Sequence, residues 1–220
     1  MKQLIIAIDG PSGAGKGTVS STLATSLGYR HIDTGAMYRA VAWKAKADNL
    51  PLDDDDAVAA LALRADIVVE GGVVAIDGHD VTRAIRTSDI DKVASAVARL
   101  PRVREILVAR QRAIGEAGGV VMEGRDIGTV VFPTADVKIY LDASPEERAR
   151  RRAGDTLHTG GQAGQEAVAA SIAARDKSDT TRTASPLTRA ADAVYIDTTG
   201  MPIDEVVSTA LRLVTKKIDC

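Results

Sequence analysis

Short apolar runs alternate along this 220-residue chain with longer segments whose apolar positions recur every three or four residues. The run KQLIIAI (2–8) has the unbroken apolar character of a parallel strand covered on both faces. A glycine-rich stretch follows, and helical spacing then runs from Lys16 to Leu27. YRHIDTG (29–35) reads as a second short strand closing in a turn, and AMYRAVAWKAKA (36–47) as a helix with Met37, Val41 and Lys44 on one face. Three later runs, GGVVMEG, DVKIYLDA and ADAVYIDTT, read as further strands. Helical patterns lie among them from Ser88 to about Arg99, from Pro101 through Glu116, over SPEERARRRAG, from Glu166 to about Lys177, and from Pro202 to about Lys217. Strands alternating with helices predict an α/β fold: a doubly wound, five-stranded parallel sheet.

One segment breaks this rhythm. DIVVEGGVVAIDGHDVT (66–82) holds short β segments punctuated by Gly71, Gly72 and Gly78, the signature of a small antiparallel hairpin or meander. It is expected to be an insertion separate from the main sheet. The acidic run before it, Asp53 to Asp56, is read as a solvated helix start favoured by the helix dipole rather than as a metal site.

Composition narrows the function classes. Hydrophobic residues at 45% and charged residues at 26% fit a globule with a real core. A net charge of −2 and an aromatic content of 3% argue against a protein that coats nucleic acid or stacks single-stranded bases. The single cysteine, Cys220, allows neither a disulfide framework nor a cysteine metal site within one chain. No stretch is long enough to span a membrane, and the opening apolar run is read as a strand rather than a signal peptide. A cytoplasmic protein is expected, acting as a monomer.

The chemistry is concentrated first in DGPSGAGKGT (9–18). The common phosphate-binding loop is G-x-x-x-x-G-K-S/T, with the hydroxyl on Mg²⁺. Gly10, Gly15 and Lys16 fit it, but Gly17 stands where the hydroxyl belongs and Thr18 comes one residue late. The strand before it and the helix after it supply the context such a loop needs. Glycines let the backbone approach phosphate, amides and the helix N-terminus favour anions, and Lys16 adds a point charge. Residues 10–18 (Gly10, Pro11, Ser12, Gly13, Ala14, Gly15, Lys16, Gly17 and Thr18) are therefore expected to bind the triphosphate of a nucleotide. With no side-chain oxygen on Gly17, no direct side-chain ligand to Mg²⁺ is expected. The ion would be held by phosphate and water, and steadied through water by Glu123 at the end of VVME or by Asp9. The guanine-reading Asn-Lys-x-Asp element is absent, since Asn49, the sole asparagine, precedes Leu50.

Arginines carry the second signal. Arg39, Arg104, Arg125, Arg148, Arg150, Arg151, Arg152, Arg175 and Arg182 are a large supply of cations, several of them after strand ends or glycine turns, at the sheet edge where α/β folds bind ligands. Phosphoryl transfer needs such cations to align donor and acceptor and to neutralise the moving group, and the arginine fork grips phosphate at two points. Arg148 and Arg152, four residues apart on one helical face, precede the polar DTLHTGGQAGQ, the pattern of a lid with cationic teeth. His158 within it reads as polar surface.

GPSGAGKGT, DTGAMYR, PRVRE, GRDIGTVVFPTADVKIYLDAS and the spaced RD, D, R, PL and DA residues of 175–193 together resemble the bacterial cytidylate (CMP) kinases, within the P-loop nucleoside monophosphate kinases. The likeness runs along nearly the whole chain. It implies ATP-dependent phosphorylation of CMP and dCMP with Mg²⁺, in pyrimidine metabolism, and makes ATP the nucleotide on residues 10–18. It further implies a core of residues 1–36, 88–147 and 183–220, an inserted monophosphate-binding domain at 37–87 and a lid with its adjoining helix at 148–182. By the resemblance, Arg39 and Arg125 hold the acceptor phosphate, and Ser95, Arg104 and Asp126 read cytosine. Arg175 and Asp179 lie near the ribose, Arg182 near the substrate, and Thr34 and Tyr38 line the pocket. Lys16, Arg125, Arg148 and Arg152 are the expected catalytic cations, the last two in the lid over ATP. Glu123 stands where this family often has an aspartate, and SDTTR carries Ser178 and Thr180 where further arginines can occur.

Overall fold

The computed structural model describes residues 3–155 and 164–218. Its main sheet has the strands β1 (Ile5–Asp9), β2 (Arg30–Asp33), β6 (Val120–Gly124), β7 (Val137–Asp142) and β8 (Val194–Asp197) in the order β2-β6-β1-β7-β8. All pairings in it are parallel. β1 at the centre has neighbours on both sides, with Ile8 opposite both Glu123 and Ile139. The crossover from β1 runs to β2 on one side and that from β6 passes to β7 on the other, so a crevice opens beyond the C-terminal ends of β1 and β6, where open α/β sheets bind ligands.

Helices cover both faces of β1, β6 and β7, which is why these strands are largely apolar and buried, while the edge strands β2 (RHID) and β8 (VYID) keep polar, exposed positions. On one face Val19 and Leu23 of α1 (Lys16–Leu27) meet Val206, Ala210 and Val214 of the C-terminal helix α8 (Ile203–Ile218) over Ile6, Ile8 and Ile139. On the other, Val108 of α5 (Pro101–Gly115) and Ile127 and Val131 of a π-helical turn (Ile127–Val131) cover Ala7, Ile32 and Met122. Ile8 is fully buried, and its truncation to alanine should cost about 2–5 kcal/mol.

The segment between β2 and β6 builds a second unit. It contains α2 (Thr34–Ala47), α3 (Asp55–Arg64) and a three-stranded antiparallel sheet of β3 (Ile67–Glu70), β4 (Val73–Ile76) and the two-residue β5 (His79–Asp80). The acidic run starts α3: the Asp54 side chain accepts the Ala57 N–H, and Asp55 and Asp56 fill the first turn, where their charge suits the helix dipole. Packing does not break at residue 88. Ala94 and Val97 of α4 (Ser88–Val97) and Val103 and Leu107 of α5 join one apolar cluster with Met37, Val41, Val58 and Leu61. In the domain division we propose, α4 therefore goes with the inserted segment.

The basic segment forms α6 (Pro145–Ala153), capped by Ser144, whose side chain accepts the Glu147 N–H. Residues 156–163, including His158, lie outside the described residues. The helix expected to end near Lys177 continues as α7 (Gln165–Thr181). Its last turn delivers Asp179 to the cleft, where two arginines receive it. Among the described residues, no helix is long and apolar enough to cross a membrane.

Candidate active site

A cleft of about 540 Å³ lies beyond the C-terminal ends of β1 and β6. Residues 12–19 floor it, and α2, α4, residues 123–126, α6 and α7 wall it.

The floor is built from glycine conformations. Gly10, Gly13 and Gly15 have φ of +147°, +80° and +88°, values that L side chains avoid. A Cβ on Gly10 would fall 1.9 Å from the Leu141 carbonyl oxygen, and one on Gly13 would fall 2.9 Å from that of Arg148. The loop is thus wedged between β7 and α6. Lys16 is buried and donates to the Pro11 carbonyl at 2.7 Å, which folds its ammonium back over the loop. Burial, then the neighbouring Arg125, lowers its pKa to about 7. The Glu123 carboxylate lies over Gly17, 3.5 Å from where a Cβ would sit, and its Oε1 is 2.9 Å from His31 Nε2. A larger residue at 17 would crowd this carboxylate. One carboxylate beside an anion-binding loop suits Mg²⁺, which keeps waters and phosphate oxygens as its other ligands. Asp9, the other candidate, has both oxygens engaged: they accept the Ile127 and Gly128 N–H groups at 2.8 and 2.7 Å. Burial pushes its pKa up to about 6 despite these bonds. It fixes the turn that follows Arg125 and Asp126.

The far wall is built from side chains. Arg104, 3% exposed, pairs with Asp126, donates to the Ala98 carbonyl at 3.3 Å and stacks its guanidinium 5.4 Å from the Tyr38 ring centroid. Arg182 lies 3.6 Å from Asp126 and 3.5 Å from Asp179, so it bridges the two acids. Arg125 Nε donates to Asp179 at 2.8 Å. Arg125 and Arg175 outweigh burial and hold the Asp179 carboxyl below its usual range. Ser95 Oγ is 3.1 Å from Ser178 Oγ, and Thr34 Oγ1 donates to the Glu123 carbonyl at 2.7 Å. Four buried polar atoms of this wall have no hydrogen-bond partner among the described residues: Tyr38 Oη, Arg39 Nη1, Arg104 Nε and Arg182 Nη2. Native proteins rarely leave such groups unpaired, and these four converge on one cleft. Burial drives the Tyr38 pKa up to about 12, so its hydroxyl stays protonated.

Between floor and wall, three arginines share one carboxylate. Arg39 Nε and Arg175 Nη1 donate to Asp91 Oδ1 at 3.0 and 3.1 Å, and Arg152 Nη2 donates to Oδ2. Asp33 caps α2 by accepting the Ala36 N–H at 3.0 Å and lies 3.7 Å from Arg39 Nη1.

The structure brings most of the expected residues to one cleft, but Asp9, Gly10, Pro11 and Arg148 do not line it. Arg148 and Arg152 share a helix but not a task. Arg148 is buried behind the loop, donating to the Ala143 and Ser12 carbonyls at 3.1 Å and pairing with Asp176, while Arg150, Arg151 and Arg152 line the cleft. Arg151 was visible only as one of a cluster; it clamps Thr198 through two hydrogen bonds of 2.8 and 2.6 Å. Asp91, His31 and the apolar Met201, Ile203 and Val206 beside the loop gave no motif signal. Among the described residues, no group of three or more acids, histidines or cysteines could hold a metal ion alone.

Comparison with known proteins adds an independent line. The cytidylate kinase family model matches residues 6–216. The chain is 48% identical over 219 residues to a cytidylate kinase of Solibacter usitatus, covering 99% of this chain and 94% of that one. It is 48% identical over 220 residues to the cytidylate kinase of Bacillus subtilis, covering 98% of each. Among solved structures, a shikimate kinase from Acinetobacter baumannii superposes with a TM-score of 0.52 at 15% identity, over 97% of this chain and 94% of that one. That likeness concerns the fold alone.

Proposed function

Because this chain belongs to the cytidylate kinase family, we propose that its cleft transfers the γ-phosphoryl group of ATP directly to the phosphate of CMP or dCMP. The products are ADP and CDP or dCDP. The observation that carries this reading is the set of buried donors near Asp126 (Tyr38 Oη, Arg104 Nε and Arg182 Nη2) with no hydrogen-bond partner among the described residues, facing a glycine-built phosphate loop across one cleft.

On the floor, the backbone N–H groups of residues 10–18 other than Pro11 and the start of α1 receive the ATP phosphates, with Lys16 as a cation and Thr18 as a hydroxyl donor. Met201, Ile203 and Val206 line the cleft beside this loop and offer an apolar surface to a nucleobase. Mg²⁺, when bound with ATP, would neutralise phosphate charge; Glu123 beside Gly17 would hold its waters.

On the wall, Arg39 and Arg125 take the acceptor phosphate, and Arg104, Asp126 and Ser95 read the base. Cytosine presents an amino donor to the Asp126 carboxylate and ring acceptors to Arg104. Uracil would turn a carbonyl toward that carboxylate, and such a mismatch costs on the order of 10⁴ in kcat/KM in a well-built site. Arg175 and Asp179 attend the ribose, and Arg182 locks Asp126 and Asp179 into one unit. Thr34 and Tyr38 close the pocket. The acceptor is already anionic, so no strong general base is required. The task is alignment, charge compensation and exclusion of water.

Incubation with ATP and a panel of monophosphates, with products resolved by chromatography, tests the reading. CDP and dCDP should form fastest. Faster turnover of UMP or AMP, or ATP hydrolysis to free phosphate regardless of CMP, would contradict it. The protein should behave as a monomer by sedimentation.

A further inference from the structure

Asp91 is absent from every motif above, yet it is the most heavily coordinated carboxylate described in the cleft region. It sits on α4 and receives Arg39 from α2, Arg152 from α6 and Arg175 from α7. We propose that Asp91 is a positioning residue for phosphoryl transfer: it holds these three arginines by one edge each and leaves their remaining donors to the substrates, Arg39 to the acceptor phosphate, Arg175 toward the ribose and Arg152 to the phosphoryl group crossing the cleft. The inference rests on the reading that this cleft joins ATP to CMP.

The donor geometry supports it. Arg39 reaches Asp91 through Nε, Arg175 through Nη1 and Arg152 through Nη2. Each guanidinium has five N–H donors on a rigid plane, so one bond to Asp91 fixes its orientation without exhausting it. Arg39 Nη1 is buried and has no hydrogen-bond partner among the described residues. Its neighbour Asp33 is 3.7 Å away, beyond hydrogen-bond reach. Arg152 and Arg175 themselves line the cleft with Arg39, whereas Asp91 does not.

Electrostatics requires such an anchor. Three guanidiniums at one point repel each other. Burial, then the positive charge of Arg39, already lowers Arg175 to about 10. Burial would raise the Asp91 carboxyl, but Arg39, Arg175 and Arg152 outweigh it and hold the group well below the usual carboxylate range. It therefore remains the fixed anion at neutral pH. Without it the arginines would spread, and the incoming phosphate would have to gather them at the cost of alignment. Displacements near 1 Å can lower rates about 10²-fold. Asp91 also ties the lid helix α6 to α2 of the inserted segment, so the same carboxylate couples the two walls that must approach for water to be excluded.

The alternative role is an internal competitor that occupies the phosphate site and must be displaced. The two roles give opposite kinetics. In steady-state assays of Asp91→Asn with ATP and CMP, positioning predicts kcat about 30-fold lower, with both KM values within about threefold of the parent. Asp91→Glu, which keeps the charge one methylene further out, should fall only about threefold in kcat. An Asp91→Asn kcat within twofold of the parent, or a loss confined to KM, would overturn the proposal. So would a lower KM for CMP at undiminished kcat. Melting curves establish that each variant is folded at the assay temperature. If Asp91→Asn is not, Asp91→Glu decides, and an unchanged kcat there would overturn the proposal. Failure of the underlying reading would show separately, as absence of CDP formation by the parent protein.

Discussion

The floor of the cleft meets phosphate with backbone, and its far wall meets phosphate and base with side chains. On the floor, Gly10, Gly13 and Gly15 adopt backbone conformations closed to other residues, and one lysine supplies the charge. On the wall, Arg104, Arg125 and Arg182 are interlocked with Asp126 and Asp179 by ion pairs, and four buried donors await a partner. Backbone amides recognise any phosphate, so the floor serves a donor common to many kinases. An interlocked set of acids and arginines presents a fixed pattern of donors and acceptors, so the wall can tell one base from another. The difference predicts that floor substitutions change ATP binding and rate alike for every acceptor, while wall substitutions change which acceptor is used.

The largest effect should come from Lys16→Ala. Removing the cation over the loop is expected to lower kcat about 10³-fold with CMP and dCMP equally; near-parental turnover in the folded variant would remove Lys16 from its role. Gly13→Ala comes next. Its Cβ would strike the Arg148 carbonyl at 2.9 Å with φ at +80°, pressing the loop away from α6. The KM for ATP should rise about 10-fold while the KM for CMP holds, and an equal rise in both would blur the division of floor from wall. The smallest effect is a proton. With its pKa lowered to about 7, Lys16 is largely neutral above that pH in the free protein, and a bound triphosphate favours its charged form. ATP binding at pH 8 should therefore take up a fraction of a proton and weaken as pH rises from 7 to 8.5. Calorimetry in two buffers of different ionisation enthalpy measures it. Buffer-independent heats, or proton release, would show that Lys16 stays charged in the free protein.

The two regions also differ in how much of each was legible in the sequence. The floor is contiguous, and its strand, glycines and lysine declare themselves within ten residues. The central strands are equally plain, because burial on both faces leaves apolar runs such as IIAID and VVMEG, whereas the edge strands RHID and VYID are legible only from the apolar positions and turns beside them. The wall is assembled from residues between Thr34 and Arg182, and no local pattern joins Arg104 to Asp126; only the family resemblance brought them together. Asp91 gives no signal because, with Asp89 in the same first turn, it looks like an ordinary dipole partner. Arg148 was paired with Arg152 by helical spacing, but spacing does not say that Arg148 turns into the Ser12 carbonyl. α7 runs past the expected end near Lys177, the poor helix propensity of Ser178–Thr181 being offset by the ion pairs of Asp179.

The most direct test of this division of labour is the ratio of kcat/KM for CMP over UMP in the parent and in Arg104→Met, with the KM for ATP determined in the same assays. Asp126 keeps Arg182 at 3.6 Å in the variant, so its charge is not left alone. The account predicts that the ratio falls about 10²-fold while the KM for ATP stays within twofold. An unchanged ratio, or a rise in the KM for ATP that matches the loss of CMP activity, would contradict it.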